Sequence, residues 1–416
     1  MERVDSPLEA GVGKVDITPD PAMINWVSGK AYTGVLDPLY ARALVLRSGE
    51  VELAWIAWDL IDSHEEAVAA VRKAITRSAG IPPERVLITA SHTHSGPRAS
   101  WTGQGELLAL AAPKRRERIQ SVAQDPVYRA WCEKLPDRVA AAVRQAQSTR
   151  VPAAIAIGRA DAGEWLFNRR PVAPDGTCVS ILRPQDPKAL PHGLRFGPVD
   201  PTLTTLVLTG PGGRTVATLF NLPCHAVSVY VESESVSADW PGLAAALIAE
   251  ALGGEALFLT GCGGEIVPAR RGLAARQEMA RFFAQRAVAA AKLRHPLPAA
   301  PLKTARAQPI LPLADDVRRL TGRDAWPAEV NAVACGDLAL VTFPGEPLNG
   351  IAREVQRRSP FPHTVVVGYT NGWGIGYVGL PGEKARGGYE STAGKGSDAC
   401  GQLLIECAAR LLAELR

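Results

Sequence analysis

A chain of 416 residues, 46% hydrophobic and 21% charged, has a globular composition and is long enough for one large α/β domain or two smaller ones. No run approaches the roughly 18 consecutive apolar residues of a membrane-spanning helix, so no transmembrane segment is expected. The formal net charge is only +4, and the basic residues are not interleaved with aromatics, which argues against a nucleic-acid partner.

The first strand is expected over residues 11–18, ended by Pro19 and Pro21. Two more, over 41–47 and 51–58, flank the turn Ser48-Gly49-Glu50. Ser63-His64-Glu65-Glu66 then has the Ser-x-x-Glu spacing of a capping box and opens a helix to about residue 78. The apolar residues 86–90 form a strand leading into Ser91-His92-Thr93-His94-Ser95-Gly96-Pro97. On an extended segment, side chains at i and i+2 share a face. His92 and His94 are therefore expected to reach one pocket before Ser95-Gly96-Pro97 breaks the strand. An insertion over 98–125 carries the apolar Leu107-Leu108-Ala109-Leu110 and the basic Lys114-Arg115-Arg116-Glu117-Arg118. It reads as a solvated surface helix, with a lid or a membrane-touching segment as alternatives.

A helix follows over 127–147, interrupted or restarted at Pro136, then a strand over 153–158. A loop rich in Pro and Gly covers 174–201, and strands over 202–209 and 215–220 lead to Asn221-Leu222-Pro223-Cys224-His225. In Ser237-Ala238-Asp239-Trp240-Pro241-Gly242, Asp239 reads as the cap of a helix over 242–251. After a strand over 256–259, the turn Gly261-Cys262-Gly263-Gly264-Glu265 lacks the Lys-Ser/Thr of a phosphate loop and the spacing of a dinucleotide fingerprint, which rejects nucleotide binding. A helix over 274–293, a strand over 303–311 and a hairpin across Cys335-Gly336-Asp337 come next. The strand over 338–343 runs into Pro344-Gly345-Glu346, and a helix, a strand over 364–369, a glycine-rich loop to Tyr389 and a helix over 403–415 complete the pass. No internal repeat is visible. Strands and helices without strict βαβ order predict an α/β protein of mixed sheets flanked by helices, read as one domain over 1–416.

The seven cysteines are odd in number and scattered, and read as reduced thiols. Residues 1–7 lack the charged-then-apolar pattern of a secretory leader, so the expected compartment is the cytoplasm. Of the seven histidines, His92, His94 and His225 stand in turn-bounded segments at the ends of apolar runs, where functional side chains project from a rigid scaffold. His64, His192, His295 and His363 read as structural or surface residues. The closely spaced His92 and His94 suit either a metal site or a catalytic pair.

Six motifs in order resemble those of the neutral ceramidase catalytic domain. They are residues 10–19 (Ala-Gly-Val-Gly-Lys-Val-Asp-Ile-Thr-Pro), the segment from Ser91 to Pro97, the segment from Ser237 to Gly242, Gly264-Glu265-Ile266-Val267-Pro268, Pro344-Gly345-Glu346, and Gly376-Tyr377-Val378 with Gly388-Tyr389-Glu390. The resemblance implies a layered α/β catalytic domain without the family's immunoglobulin-like domain. It also implies zinc-dependent hydrolysis of the amide bond of a small-molecule or lipid-like N-acyl substrate. By position it implies zinc ligands His92, His225, Glu346 and Tyr377, with a coordination position left for water. His94 would act on the reacting substrate, Tyr389 would stabilise the oxyanion and Arg169 would be an active-site arginine. The chain departs from the family at Val267, where ceramidases carry a small polar residue, and at Glu265, where they carry Asp. The departures favour an amide other than ceramide. Two rivals stand beside this expectation: a barrel-type metal-dependent amidohydrolase, which also opens with His-x-His at a strand end, and a catalytically degenerate scaffold that keeps the fold.

Overall fold

The structure is a computed structural model describing residues 8–99 and 113–416. The strands β1 (Glu9–Asp16), β2 (Tyr40–Ser48) and β3 (Val51–Trp58) form an antiparallel meander. Helix α1 (Glu65–Ala79) then crosses to β4 (Val86–Ala90), which lies parallel to β3. After α2 (Pro113–Gln124) and α3 (Pro126–Ser148), the same arrangement recurs. Strands β5 (Ala154–Asp161), β6 (Thr202–Thr209) and β7 (Thr215–Leu222) are antiparallel, and α4 (Asp239–Leu252) crosses to a parallel β8 (Glu255–Thr260), with α5 (Leu273–Lys292) behind. It recurs once more in β9 (Leu302–Ala307), β10 (Val330–Cys335) and β11 (Leu338–Thr342), with α6 (Asn349–Arg358) crossing to a parallel β12 (His363–Val367) and α7 (Cys400–Leu415) last. The four main strands follow chain order in all three sheets, with the two-residue strands Val151–Pro152 and His295–Pro296 added at the edges of the first and second. The chain therefore contains a threefold topological repeat that its sequence does not display, because each unit fills the same backbone plan with different side chains.

Period-two alternation explains how the three sheets pack. In the first sheet Ala54, Ile56 and Ile88 point outward onto α1 and α3, while Leu53, Trp55 and Leu87 point inward. The inward set joins Leu219 and Leu257 of the second sheet and Leu340 and Val365 of the third in one shared core. Phe258 faces α4 and α5, and Val341 faces α6 and α7. Both faces of the central strands are thus buried, and this is why strands such as β4, β10 and β11 read as nearly continuous apolar runs. Open sheets around a shared core leave no barrel among the described residues, which removes the barrel-type amidohydrolase.

At their carboxyl ends the parallel strand pairs meet around one point. Thr260 Oγ1 donates to Ala90 O at 2.7 Å, Gly368 N to Thr260 O at 2.9 Å and Ala90 N to Tyr369 O at 3.1 Å. These bonds close a ring through all three units. Ligand sites in open α/β sheets form outside such strand ends.

Several local expectations are corrected. Strand β4 ends at Ala90, and His92 has a left-handed φ of 63°, so His92 and His94 are not alternate residues of an extended strand. The cap of α1 is His64, whose Nδ1 accepts from Glu66 N, while Ser63 Oγ donates to Tyr369 O. Helix α3 runs through Pro136 without a break. Asp239 opens α4 but its carboxylate also ties the loop behind it, accepting from Ser228 N and Val229 N as well as Trp240 N. The strand expected over 303–311 is two pieces, β9 and Ile310–Pro312. Of the insertion, α2 is a helix, and Leu107-Leu108-Ala109-Leu110 lies outside the described residues. All seven cysteines are unpaired thiols. No helix among the described residues is long and apolar enough to cross a membrane.

Candidate metal centre

Each unit delivers groups from the ends of its parallel strands. His92 follows β4, and its backbone N–H is held by Leu60 O while its Nδ1 lies 2.6 Å from Ile61 O. His225 follows β7, with Nδ1 2.9 Å from Gly263 O and 3.0 Å from Ile266 O. Glu346 follows β11 and pairs directly with Tyr377 in a short parallel ladder. Gly345 makes that approach possible: its φ is 68°, and a Cβ there would lie 2.4 Å from Gly376 O.

A carbonyl oxygen can only accept, so Nδ1 carries a proton in both rings, and in a neutral ring Nε2 then presents a lone pair. Both Nε2 atoms face the Glu346 carboxylate. Oε2 of Glu346 is 3.4 Å from His92 Nε2 and 3.1 Å from His225 Nε2. The ligand atoms of the three residues lie within 4.8 Å of one another, all buried. His225 Nε2 and Glu346 Oε2 have no hydrogen-bond partner. Burial, followed by the charge of Arg169, pushes the His225 imidazole down to about 3, so the ring is neutral at ordinary pH. Unprotonated buried donors aimed at one point, with outer carbonyls fixing the tautomers, suit a divalent cation better than each other.

Tyr377 brings a phenol oxygen to the same cluster. Burial first and the Glu346 carboxylate second push its pKa well above the ordinary tyrosine range. Arg169 Nη2 donates to Tyr377 Oη at 3.1 Å and to Gly264 O at 2.7 Å. Its Nε donates to Glu390 Oε1 at 2.6 Å. Arg169 thus stands behind Tyr377 as its support, and its guanidinium lies 5.6 Å from the Tyr377 ring centre and 5.3 Å from that of Tyr389. The ring of Tyr389 is 5.6 Å from that of Tyr377, on the exposed side.

His94 stands at the edge of the cluster. Its ring meets that of His92 edge-on at 4.8 Å, with Nε2 to Nε2 at 3.2 Å. Burial, then the neighbouring His92 and His225, hold His94 well below the usual histidine range. Both His92 and His94 line a cavity of about 390 Å³, with Glu346, Tyr377 and Tyr389. Trp26, Trp373, Ile119, Val317 and Leu320 supply apolar wall, and Arg98, Asp316 and Lys395 supply charge.

Two solved structures match nearly the whole chain: neutral ceramidase from Pseudomonas aeruginosa, with TM-score 0.76, 16% identity and coverage of 99% of this chain and 75% of that one, and a ceramidase complexed with C2, with TM-score 0.77, 16% identity and coverage of 99% and 76%. The chain has the neutral ceramidase fold. Neither a protein-family model nor a curated protein sequence matches it.

Within the ceramidase fold, the two departures from the family's motif have structural roles. Val267 is fully buried against Phe167, Val227 and Ala269. Both carboxylate oxygens of Glu265 accept from Asn349 N at 3.0 Å, at the start of α6, where the helix dipole favours an acceptor. Burial pushes the Glu265 carboxyl up to about 8. Sequence reasoning missed Glu390, which also accepts from Arg170 Nη1 at 3.4 Å. It also missed the Ile61 and Gly263 carbonyls. Glu390 lies inside the quoted Gly388-Tyr389-Glu390 motif and was open to notice; a backbone carbonyl leaves no mark in a sequence.

Proposed function

We propose that the chain is a zinc-dependent hydrolase of the amide bond of an N-acyl substrate, with His92, His225, Glu346 and Tyr377 as the residues that would hold the metal. The observation that carries this reading is the convergence of two imidazole nitrogens and a carboxylate oxygen in a buried site where His225 Nε2 and Glu346 Oε2 have no hydrogen-bond partner. Two imidazoles, a carboxylate and a phenol oxygen form a donor set suited to zinc. When bound, zinc would supply Lewis acidity to the amide carbonyl and activate water at neutral pH.

The remaining work falls to this chain's own side chains. Arg169 fixes the Tyr377 oxygen through a fork whose other prongs hold Gly264 O and Glu390. His94, neutral and on the cavity wall, is the group that exchanges a proton with the departing amine. Tyr389 faces the same cavity and donates its O–H to the oxygen that gains charge as the carbonyl is attacked. Ligands come from all three units, so the site belongs to the assembled unit and not to a fragment of it. Val267 and Glu265 have packing roles of their own, which supports reading the departures as structural.

The test is metal content and turnover of a panel of N-acyl amides, measured on the wild type, His92→Ala and Tyr377→Phe. Loss of zinc with His92→Ala, and loss of hydrolysis in both variants, is the expected result. Zinc and activity at wild-type levels in both would overturn the assignment.

A further inference from the structure

We propose that Arg170 is a positioning residue of this site, clamping residues 383–391 so that Tyr389, which they carry, keeps its phenol aimed at the reacting carbonyl. The proposal rests on the amidase reading above and gives a role to a side chain that reading leaves unused. Arg169 and Arg170 follow the short strand Leu166–Asn168 and turn to different partners. Arg169 reaches Gly264 O and Tyr377 Oη. Arg170, only 3% exposed, reaches the loop beyond them. Its Nη2 donates to Glu383 Oε2 at 2.9 Å and Glu383 O at 3.2 Å, and its Nη1 to Ser391 Oγ at 3.3 Å and Glu390 Oε2 at 3.4 Å. One planar fork therefore fastens both ends of the segment that bears Tyr389. A lysine would keep the charge but could not span both ends. Glu390 joins the two arginines, yet Arg169 has the other carboxylate oxygen, Oε1, at 2.6 Å. Losing Arg170 leaves the support of Tyr377 in place.

Tyr389 needs a clamp of this kind. It is 39% exposed and begins a helix of only five residues, Tyr389–Ala393, too short to hold its own shape. Its aim is set from outside. Gly388, just before it, has a φ of 88°, and a Cβ there would lie 3.3 Å from Arg170 Nη1, so glycine lets the guanidinium lie against the backbone next to Tyr389. The chain that follows Arg170 grips the same segment. Ser180 Oγ accepts from Tyr389 N at 2.7 Å, Cys178 N donates to Arg386 O at 2.7 Å, and Arg386 Nε donates to Gly176 O at 3.0 Å. A donor to a developing oxyanion works only from a preorganised position, and a displacement of about 1 Å can cost about 100-fold in rate. The two neighbouring arginines thus divide the site between them: Arg169 serves the proposed metal ligand, and Arg170 serves the proposed oxyanion donor.

Zinc-loaded protein is assayed with octanoyl p-nitroanilide, N-octanoylethanolamine and N-octanoylglycine, and the amide turned over fastest is carried through Arg170→Lys, Tyr389→Phe and the double variant. Arg170→Lys is expected to lower kcat by roughly 10–100-fold, with KM and zinc affinity near their wild-type values. In the Tyr389→Phe background the same change should cost nothing further, because the group it aims is gone. No loss of kcat, or an equal loss in both backgrounds, overturns the proposal. A parallel fall in zinc affinity overturns it too, since Arg170 would then act through Tyr377. If Arg170→Lys does not fold, Ser180→Ala, at an exposed position, takes its place in the same cycle: a loss of roughly fivefold, the worth of one hydrogen bond, is expected in the wild-type background alone, and no loss or an equal loss in both overturns the proposal. If the wild type hydrolyses none of the three amides, the amidase reading fails separately, and the clamp is judged by trypsin, with cleavage after Lys384 or Arg386 located by mass spectrometry. Faster cleavage there in Arg170→Lys than in the wild type supports the clamp, and equal cleavage overturns it.

Discussion

Nε2 of His225 and Oε2 of Glu346 stand 3.1 Å apart with no proton to bond them. The neutral His225 ring spends its proton on backbone carbonyls, so the carboxylate gains nothing from it. A bound cation relieves both groups at once.

The first prediction follows from linkage. A ligand that binds the folded state alone stabilises it by about 2.7 kcal/mol at a free concentration 100 times its Kd. Zinc at that ratio should raise the unfolding free energy of the metal-stripped protein by that amount, measured by chemical denaturation. His225→Ala should abolish the increment. An equal increment in His225→Ala would place the zinc elsewhere.

Arg169 supplies a second prediction. Its fork spans Glu390, Gly264 O and Tyr377 Oη, and a lysine keeps the charge but not the fork. Arg169→Lys should weaken zinc binding by about 10–100-fold, the usual effect of losing a group that orients a ligand. Zinc titration against a chelating dye reads it. Unchanged affinity would show that Tyr377 needs no support from Arg169.

How much of this was open to a reader of the sequence depends on what kind of contact is asked about. His92 and His225 stood out as scarce histidines just past apolar strands, whereas Glu346 and Tyr377 were singled out only by the order of motifs that resemble the neutral ceramidase domain. The pairing argument for His92 and His94 failed in its geometry, since His92 turns left-handed and the rings meet edge-on instead of lying side by side on a strand. The threefold repeat was invisible because backbone topology tolerates different side chains: β4, β8 and β12 occupy equivalent places yet read Val-Leu-Ile-Thr-Ala, Glu-Ala-Leu-Phe-Leu-Thr and His-Thr-Val-Val-Val. Glu265, visible in the sequence only as a departure from the family's Asp, receives the first N–H of α6.

That placement gives a third prediction. The Glu265 carboxyl is raised to about 8 by burial, against about 4.3 for a free glutamate. Between those values the unfolded chain has released a proton that the folded chain keeps, so folding stability must fall as pH rises. The contribution is complete below about pH 4 and is lost through pH 8. Denaturation midpoints of wild type and Glu265→Gln, measured from pH 5 to 8.5, should converge at low pH, with the wild type declining relative to the variant as pH rises. Parallel profiles would show that Glu265 titrates normally.

The last prediction concerns Gly264, at the point where the second and third units touch. A Cβ there would lie 2.6 Å from Glu346 O, 2.9 Å from Leu348 Cδ2 and 3.2 Å from Tyr377 Cδ1. The first of these is backbone and cannot rotate away, so an alanine has to push the ladder of Glu346 and Tyr377 outward. Overpacking of this kind costs about 1–3 kcal/mol, and here the displaced atoms belong to two of the four proposed ligands. Gly264→Ala should therefore retain its secondary structure by circular dichroism, lose about that much stability, and bind zinc at least tenfold more weakly, the level at which disturbed ligand support is usually felt. If the variant lost stability but kept wild-type zinc affinity, the displacement would have been absorbed by Leu348, and the Glu346–Tyr377 ladder would not be what sets the metal's grip.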